Sequence, residues 1–105
     1  MGTRERLFAL QDLAPGMARA VDVADRRLAI VRIDDDVYAL DDRCTHQDIS
    51  LSEGEVLVEE RQIECWKHGS AFSLATGEPS SLPATKAVAT YDLEVVDGDV
   101  WVVIA

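Results

Sequence analysis

Every cysteine and every histidine of the chain falls into one of two short pairs, Cys44-Thr45-His46 and Cys65-Trp66-Lys67-His68. Each pair sets one thiolate close to one imidazole, and eighteen residues separate His46 from Cys65. Thiolates are soft ligands and imidazoles suit iron and zinc, so the natural chemistry of two such pairs is metal binding. A given Cys–His offset arises by random placement roughly once in a hundred. Two pairs that use every Cys and His arise roughly once in ten thousand. The spacing is not that of a zinc finger, where two Cys share one loop and two His the other. The residues alone leave three readings: a metal centre shared by two loops, a structural Cys2His2 zinc site, or two buried thiols or a disulfide. The disulfide needs an oxidising compartment.

The elements that would hold these pairs read as strands. Residues 6–10, 18–23 and 27–33 are apolar or β-branched runs, and Pro15-Gly16 is a turn signal between the first two. Residues 34–36, all Asp, read as a three-residue loop leading into a strand at 37–40. Residues 87–96 alternate, with Ala89, Tyr91, Leu93 and Val95 on one face. Asp97-Gly98 is a hairpin turn, and residues 100–104 close the sheet. No stretch has the periodicity of an amphipathic helix. The expectation is an all-β fold: an antiparallel sandwich or barrel-like base carrying a loop-rich insert at about residues 42–86. Within the insert, residues 51–58 and 62–66 are candidate short strands, punctuated by Gly54, Gly69 and Gly77. A loop-rich insert on a β scaffold is where a site is expected.

Composition excludes several classes. The chain has 105 residues, enough for one domain but not for a cofactor domain plus a substrate domain. Its formal net charge of −10 disfavours nucleic acid as a partner. Residues 87–105 carry four acidic side chains and no basic one. No apolar run approaches the roughly 20 residues that span a bilayer. Residues 1–10 carry charges where a secretory signal needs an apolar core, and Arg6 stands where a myristoylation motif wants Ser or Thr. A cytoplasmic protein is the expectation.

The ligand pattern resembles that of the Rieske [2Fe–2S] proteins: C-x-H, about fifteen to twenty residues, then C-x-x-H. The resemblance runs through residues 42–86. It implies one [2Fe–2S] cluster per chain, with Cys44 and Cys65 on one iron and His46 and His68 on the other. The stretch CWKHGSAFSLATGEPSSLPAT is similar to the second cluster loop and proline-containing loop of small soluble bacterial ferredoxins. In those proteins the segment around Leu82-Pro83-Ala84 would cover the cluster on a third side. Rieske proteins of respiratory complexes carry an extra Cys in each ligand loop. Here Ile49 and Lys67 stand there, so no bracing disulfide forms.

Four further residues take roles from the resemblance. Ser70 matches a serine that donates a hydrogen bond to a cluster sulfide. Phe72 stands where high-potential members carry a tyrosine hydroxyl. Gly69 would let backbone approach the cluster, and Pro83 would shape the covering loop. The plainer readings are a turn serine, core packing, a turn glycine and a loop-fixing proline. Trp66 fits packing or a docking rim equally. Fewer hydrogen bonds to sulfur lower a cluster's potential, so the expected value lies in the lower half of the roughly −150 to +300 mV Rieske range.

A centre with four protein ligands transfers single electrons and has no open position for substrate. A Rieske oxygenase needs a second iron held by two His and a carboxylate, and both histidines here are already used. The resemblance therefore implies an electron carrier, not an enzyme. It would pass electrons from an NAD(P)H-dependent flavin reductase to a non-haem iron dioxygenase in a multicomponent system. Transient docking on basic patches is expected from the acidic charge. Other settings that fit are cluster assembly or redox sensing, a small subunit of a nitrite-reductase-like enzyme, and a zinc-stabilised interaction module. Glu59-Glu60 and the Asp34–Asp36 run read as solvated turns.

Overall fold

The computed structural model describes residues 3–23, 26–43, 50–65, 71–79 and 87–104. Nine strands follow one another: β1 Thr3–Ala9, β2 Ala18–Val23, β3 Arg26–Ile33, β4 Asp36–Asp41, β5 Glu55–Leu57, β6 Gln62–Glu64, β7 Ala71–Ser73, β8 Thr90–Val96 and β9 Asp99–Ile104. Six of them form an antiparallel sheet in the order β1-β9-β8-β4-β3-β2, and β5-β6-β7 form a second, three-stranded sheet. Among the described residues the only helices are two single 3₁₀ turns, Leu10–Asp12 and Leu51–Glu53. The all-β expectation is met.

The larger sheet curls upon itself. Phe8 on β1 and Val23 on β2, strands at its two edges, share one core with Leu28, Ile30, Ala39, Val100 and Val102. A sheet whose edges bury side chains together is a near-barrel, since a flat sheet would hold them far apart. Two turns match their sequence signals. Met17 N donates to Ala14 O across Pro15-Gly16, with Gly16 at φ 81°, as a proline-led turn with a left-handed third residue requires. Asp97 and Gly98 both take positive φ, 51° and 81°, as the two-residue β8–β9 hairpin demands.

Strand β3 is buried on both faces. Leu28 and Ile30 point into the barrel core; Ala29, Val31 and Ile33 point the other way. There they meet Leu40, Leu51, Ile63, Cys65, Phe72, Leu74 and Val88 in a second core. Strand side chains alternate between faces, so one continuous apolar run can serve two cores. β3 and β4 thus form the floor on which the smaller sheet rests.

Three local expectations differ. The hairpin after β3 has two residues, Asp34 and Asp35, because Asp36 pairs with Ile33 in register. Asp34 takes φ 54°, which Asp tolerates better than most residues. Asp36 is thereby drawn into the sheet, where it stays exposed and ion-pairs with Arg61 at 2.7 Å, so it is a strand residue and not part of the turn. Residues 51–58 do not form one strand. Leu51 turns fully inward, a 3₁₀ turn follows, and β5 begins only after Gly54. In the alternating segment, Tyr91 and Leu93 pack on the barrel core, whereas Ala89 and Val95 are exposed. Val88 is the inward residue there, held by the bond from its N–H to Gly77 O.

Candidate metal centre

Both segments that carry a Cys–His pair begin directly after a paired residue. Arg43 and Ser50 form an antiparallel bridge, which closes the six-residue excursion 44–49 that opens with Cys44. Glu64 on β6 and Ala71 on β7 pair in register, closing the six-residue excursion 65–70 that opens with Cys65. A third excursion, 80–86, starts from Pro79, bridged to Phe72. Its return is fixed by the bond from Val88 N to Gly77 O. Gly77 has φ 77°, and a Cβ there would lie 2.1 Å from Val88 O, so only glycine permits this approach. The second and third excursions are thus rooted in the smaller sheet, and the first just past β4 of the larger one.

Asp42 braces the first root, and Arg61 the opposite end of the smaller sheet. Asp42 is the one buried charged residue among the described residues, 2% exposed. Its Oδ2 accepts from Arg27 Nε at 2.9 Å and its Oδ1 from Ser52 N at 2.8 Å. Its own N–H donates to Arg27 O, and its carbonyl accepts from Leu51 N. A buried carboxylate must be paired and hydrogen-bonded, and this one is. At the far end of β6, Arg61 Nη1 donates to Asp36 Oδ2 and to the Tyr38 hydroxyl, both at 2.7 Å, while its carbonyl accepts from Leu74 N. These partners, Asp36 first, raise the Arg61 pKa above its already high value. None of Asp42, Arg27 and Arg61 stands out in the sequence. Asp42 is one of twenty acidic residues, and nothing in its neighbours predicts burial.

Of the expected site residues, Cys65 and Phe72 are described. Both are fully buried, and both belong to the core that includes Leu51, Ile63 and Leu74. Cys44, His46, His68, Gly69, Ser70 and Pro83 lie outside the described residues, as do Ile49, Trp66, Lys67, Leu82 and Ala84. Accordingly no group of three His, Cys, Asp or Glu able to hold a metal occurs among the described residues. What is described fits an iron–sulfur group. Cys65 offers a soft thiol at the mouth of a hairpin connection, against an apolar wall that keeps water from the sulfur side.

The chain matches the Rieske [2Fe-2S] domain family over residues 4–92. It belongs to that family. Its cofactor is therefore the Rieske [2Fe–2S] cluster. Among Rieske relatives, the ferredoxin CarAc of Metapseudomonas resinovorans is 41% identical over 98 residues, 92% of this chain and 90% of the relative. The ferredoxin of carbazole 1,9a-dioxygenase from Nocardioides aromaticivorans IC177 superposes with a TM-score of 0.93 at 35% identity, covering 95% of this chain and 96% of that one. A complex of reduced oxygenase and oxidized ferredoxin in carbazole 1,9a-dioxygenase also contains a similar chain. Its TM-score is 0.88 at 39% identity, covering 94% of this chain and 91% of that one.

Proposed function

We propose that this chain is the Rieske ferredoxin of an aromatic-ring dioxygenase system, a single-electron carrier and not a catalyst. The observation that carries the reading is the pair of equal excursions, each closed by an antiparallel pair and each opening with a cysteine. One leaves just past β4 of the larger sheet and the other joins β6 to β7 of the smaller sheet that packs on it, so they offer two thiolates from two segments, as a cluster straddled by both would need.

In this reading Cys44 and Cys65 ligate one iron and His46 and His68 the other. Gly69, Ser70, Phe72 and Pro83 surround them, and residues 1–105 form one domain with its cluster-binding insert at about 42–86. A bound [2Fe–2S] centre supplies storage of one electron. The chain's own contribution is to hold the ligands still and dry. Cys65 sits at the edge of a packed apolar core, which excludes solvent from the sulfur and keeps the reorganisation accompanying a charge change small. The hydrogen-bonded root at Asp42 resists movement of the frame as that charge changes.

The donor is an NAD(P)H-dependent flavin reductase and the acceptor a non-haem iron oxygenase, both engaged transiently. The cytoplasm, where the nicotinamide reductant is made, is the working compartment. Support for the acceptor comes from the relatives named as ferredoxins of carbazole 1,9a-dioxygenase, one of them in complex with its oxygenase.

The test is EPR of the anaerobically purified, dithionite-reduced protein, with iron, sulfide and zinc assayed on the same sample. A rhombic signal of low average g, with iron and sulfide in equal amounts, is expected. Cys44→Ser should abolish it. Stoichiometric zinc persisting after cluster reconstitution, or an unaltered spectrum in Cys44→Ser, would overturn the carrier reading or the ligand assignment respectively.

A further inference from the structure

Between the roots of the two excursions lies one short piece of chain, the 3₁₀ turn Leu51–Glu53 and Gly54 after it, which touches both. One end of this piece is gripped by Asp42. The Asp42 carbonyl takes Leu51 N, and its carboxylate takes Ser52 N while also receiving Arg27 Nε from β3. Asp42 precedes the first excursion by one residue and Ser52 lies just past its return, so a single side chain ties departure to return and both to the barrel floor. The other end of the piece abuts β6. A Cβ on Gly54 would lie 1.8 Å from Glu64 O and 2.9 Å from Glu64 C. Glu64 is the residue before Cys65. Backbone therefore touches backbone from the first excursion to the second, with no side chain between to give way.

We infer that the turn Leu51–Gly54 is the spacer that sets the separation of the two ligand-bearing excursions, with Asp42 and Gly54 as its positioning residues. The inference rests on the ligand assignment proposed above. Neither residue is a ligand in that assignment, and each acts through its neighbour: Asp42 through the bridge Arg43–Ser50, Gly54 through Glu64. The two act in series. Moving either end displaces one pair of ligands relative to the other, and a centre shared by both pairs responds to such a displacement in its electronic structure as well as its stability.

Three variants of the full, cluster-loaded chain test this. Asp42→Asn keeps the side-chain volume but has one acceptor oxygen for two donors, so either Arg27 Nε or Ser52 N faces an amide N–H. Gly54→Ala inserts a methyl against the Glu64 carbonyl. Arg61→Ala releases Asp36 and Tyr38 at the other end of β6 and serves as the control for general loosening. Asp42→Asn and Gly54→Ala should shift the EPR g values and speed cluster loss to a chelator by about tenfold or more. Arg61→Ala should lower the melting temperature yet leave g values and loss rate as in the parent. An Asp42→Asn chain that melts like the parent but loads no cluster also counts in favour. Should Gly54→Ala fail to fold, Asp42→Asn decides alone. Unchanged g values and loss rate in Asp42→Asn, or equal changes in Arg61→Ala, would overturn the spacer. Cys44→Ser is run beside them: a native spectrum there would remove the ligand assignment itself, whatever Asp42→Asn does.

Discussion

Two side chains carry sharp consequences at the residue scale. Phe72 is wholly buried in the core that contains Cys65. Phe72→Tyr adds a hydroxyl to this packed place, where it must find an acceptor or cost about 1–3 kcal/mol. The ligand sulfur is the acceptor expected, so the reduction potential should rise in voltammetry with little loss of stability. An unchanged potential with a lowered melting temperature would place the ring away from the sulfur. Tyr91 is the second. Its hydroxyl donates to Asp41 Oδ1 at 2.7 Å and accepts from Arg26 Nη1 at 2.9 Å. Burial first, then the bond to Asp41, raise its pKa against the opposing pull of Arg26. A raised folded value means that its stabilisation is complete below the unfolded tyrosine pKa of about 10. That stabilisation drains away as pH climbs through the folded value. Urea unfolding followed by circular dichroism should therefore show a steeper loss of stability above about pH 10 in the parent than in Tyr91→Phe.

At the scale of elements, β3 divides the molecule's tasks between its faces. Ile30→Ala should cost about 2–5 kcal/mol by opening the barrel core. The EPR spectrum of the surviving folded protein should stay unchanged, because Ile30 faces away from Cys65. A broadened or shifted spectrum would show that strain crosses the strand. The strands themselves were legible from alternation and turn signals: Pro15-Gly16 and Asp97-Gly98 each specify a backbone that few other residues adopt. Less legible was anything decided by a distant partner. The triple Asp reads as loop until the pairing of Asp36 with Ile33 draws it into the sheet, where Arg61, 25 residues away, ion-pairs with it. Leu51 and Gly54 look like part of a strand until the close approach of Glu64 is known. The site splits the same way. Cys and His are rare enough in this chain for their spacing to speak, whereas Asp42 is chemically ordinary and becomes singular only by burial.

For the whole molecule, charge governs encounter. Arg4, Arg6, Arg27, Arg32 and Arg61 are each ion-paired within the chain, and Arg19 lies over the ring of Phe8. Five of the ten basic groups are thus matched to acidic partners, mostly at the surface, and the net charge stays at −10. Raising ionic strength from 0.01 to 0.15 M shortens the screening length from about 30 to about 8 Å. The second-order rate of electron delivery to a basic partner should fall across that range in stopped-flow traces. A rate that rises with salt would mean like-charged partners.

The doubly buried strand has one more implication, for modularity. The segment that carries the Cys–His pairs does not own its floor: Ala29, Val31, Ile33 and Leu40 come from β3 and β4, before it in the chain. Residues 42–86 transplanted onto a foreign hairpin would leave Leu51, Ile63 and Phe72 open to water on one side. Such a graft should bind cluster only when the host supplies an apolar, two-faced strand pair.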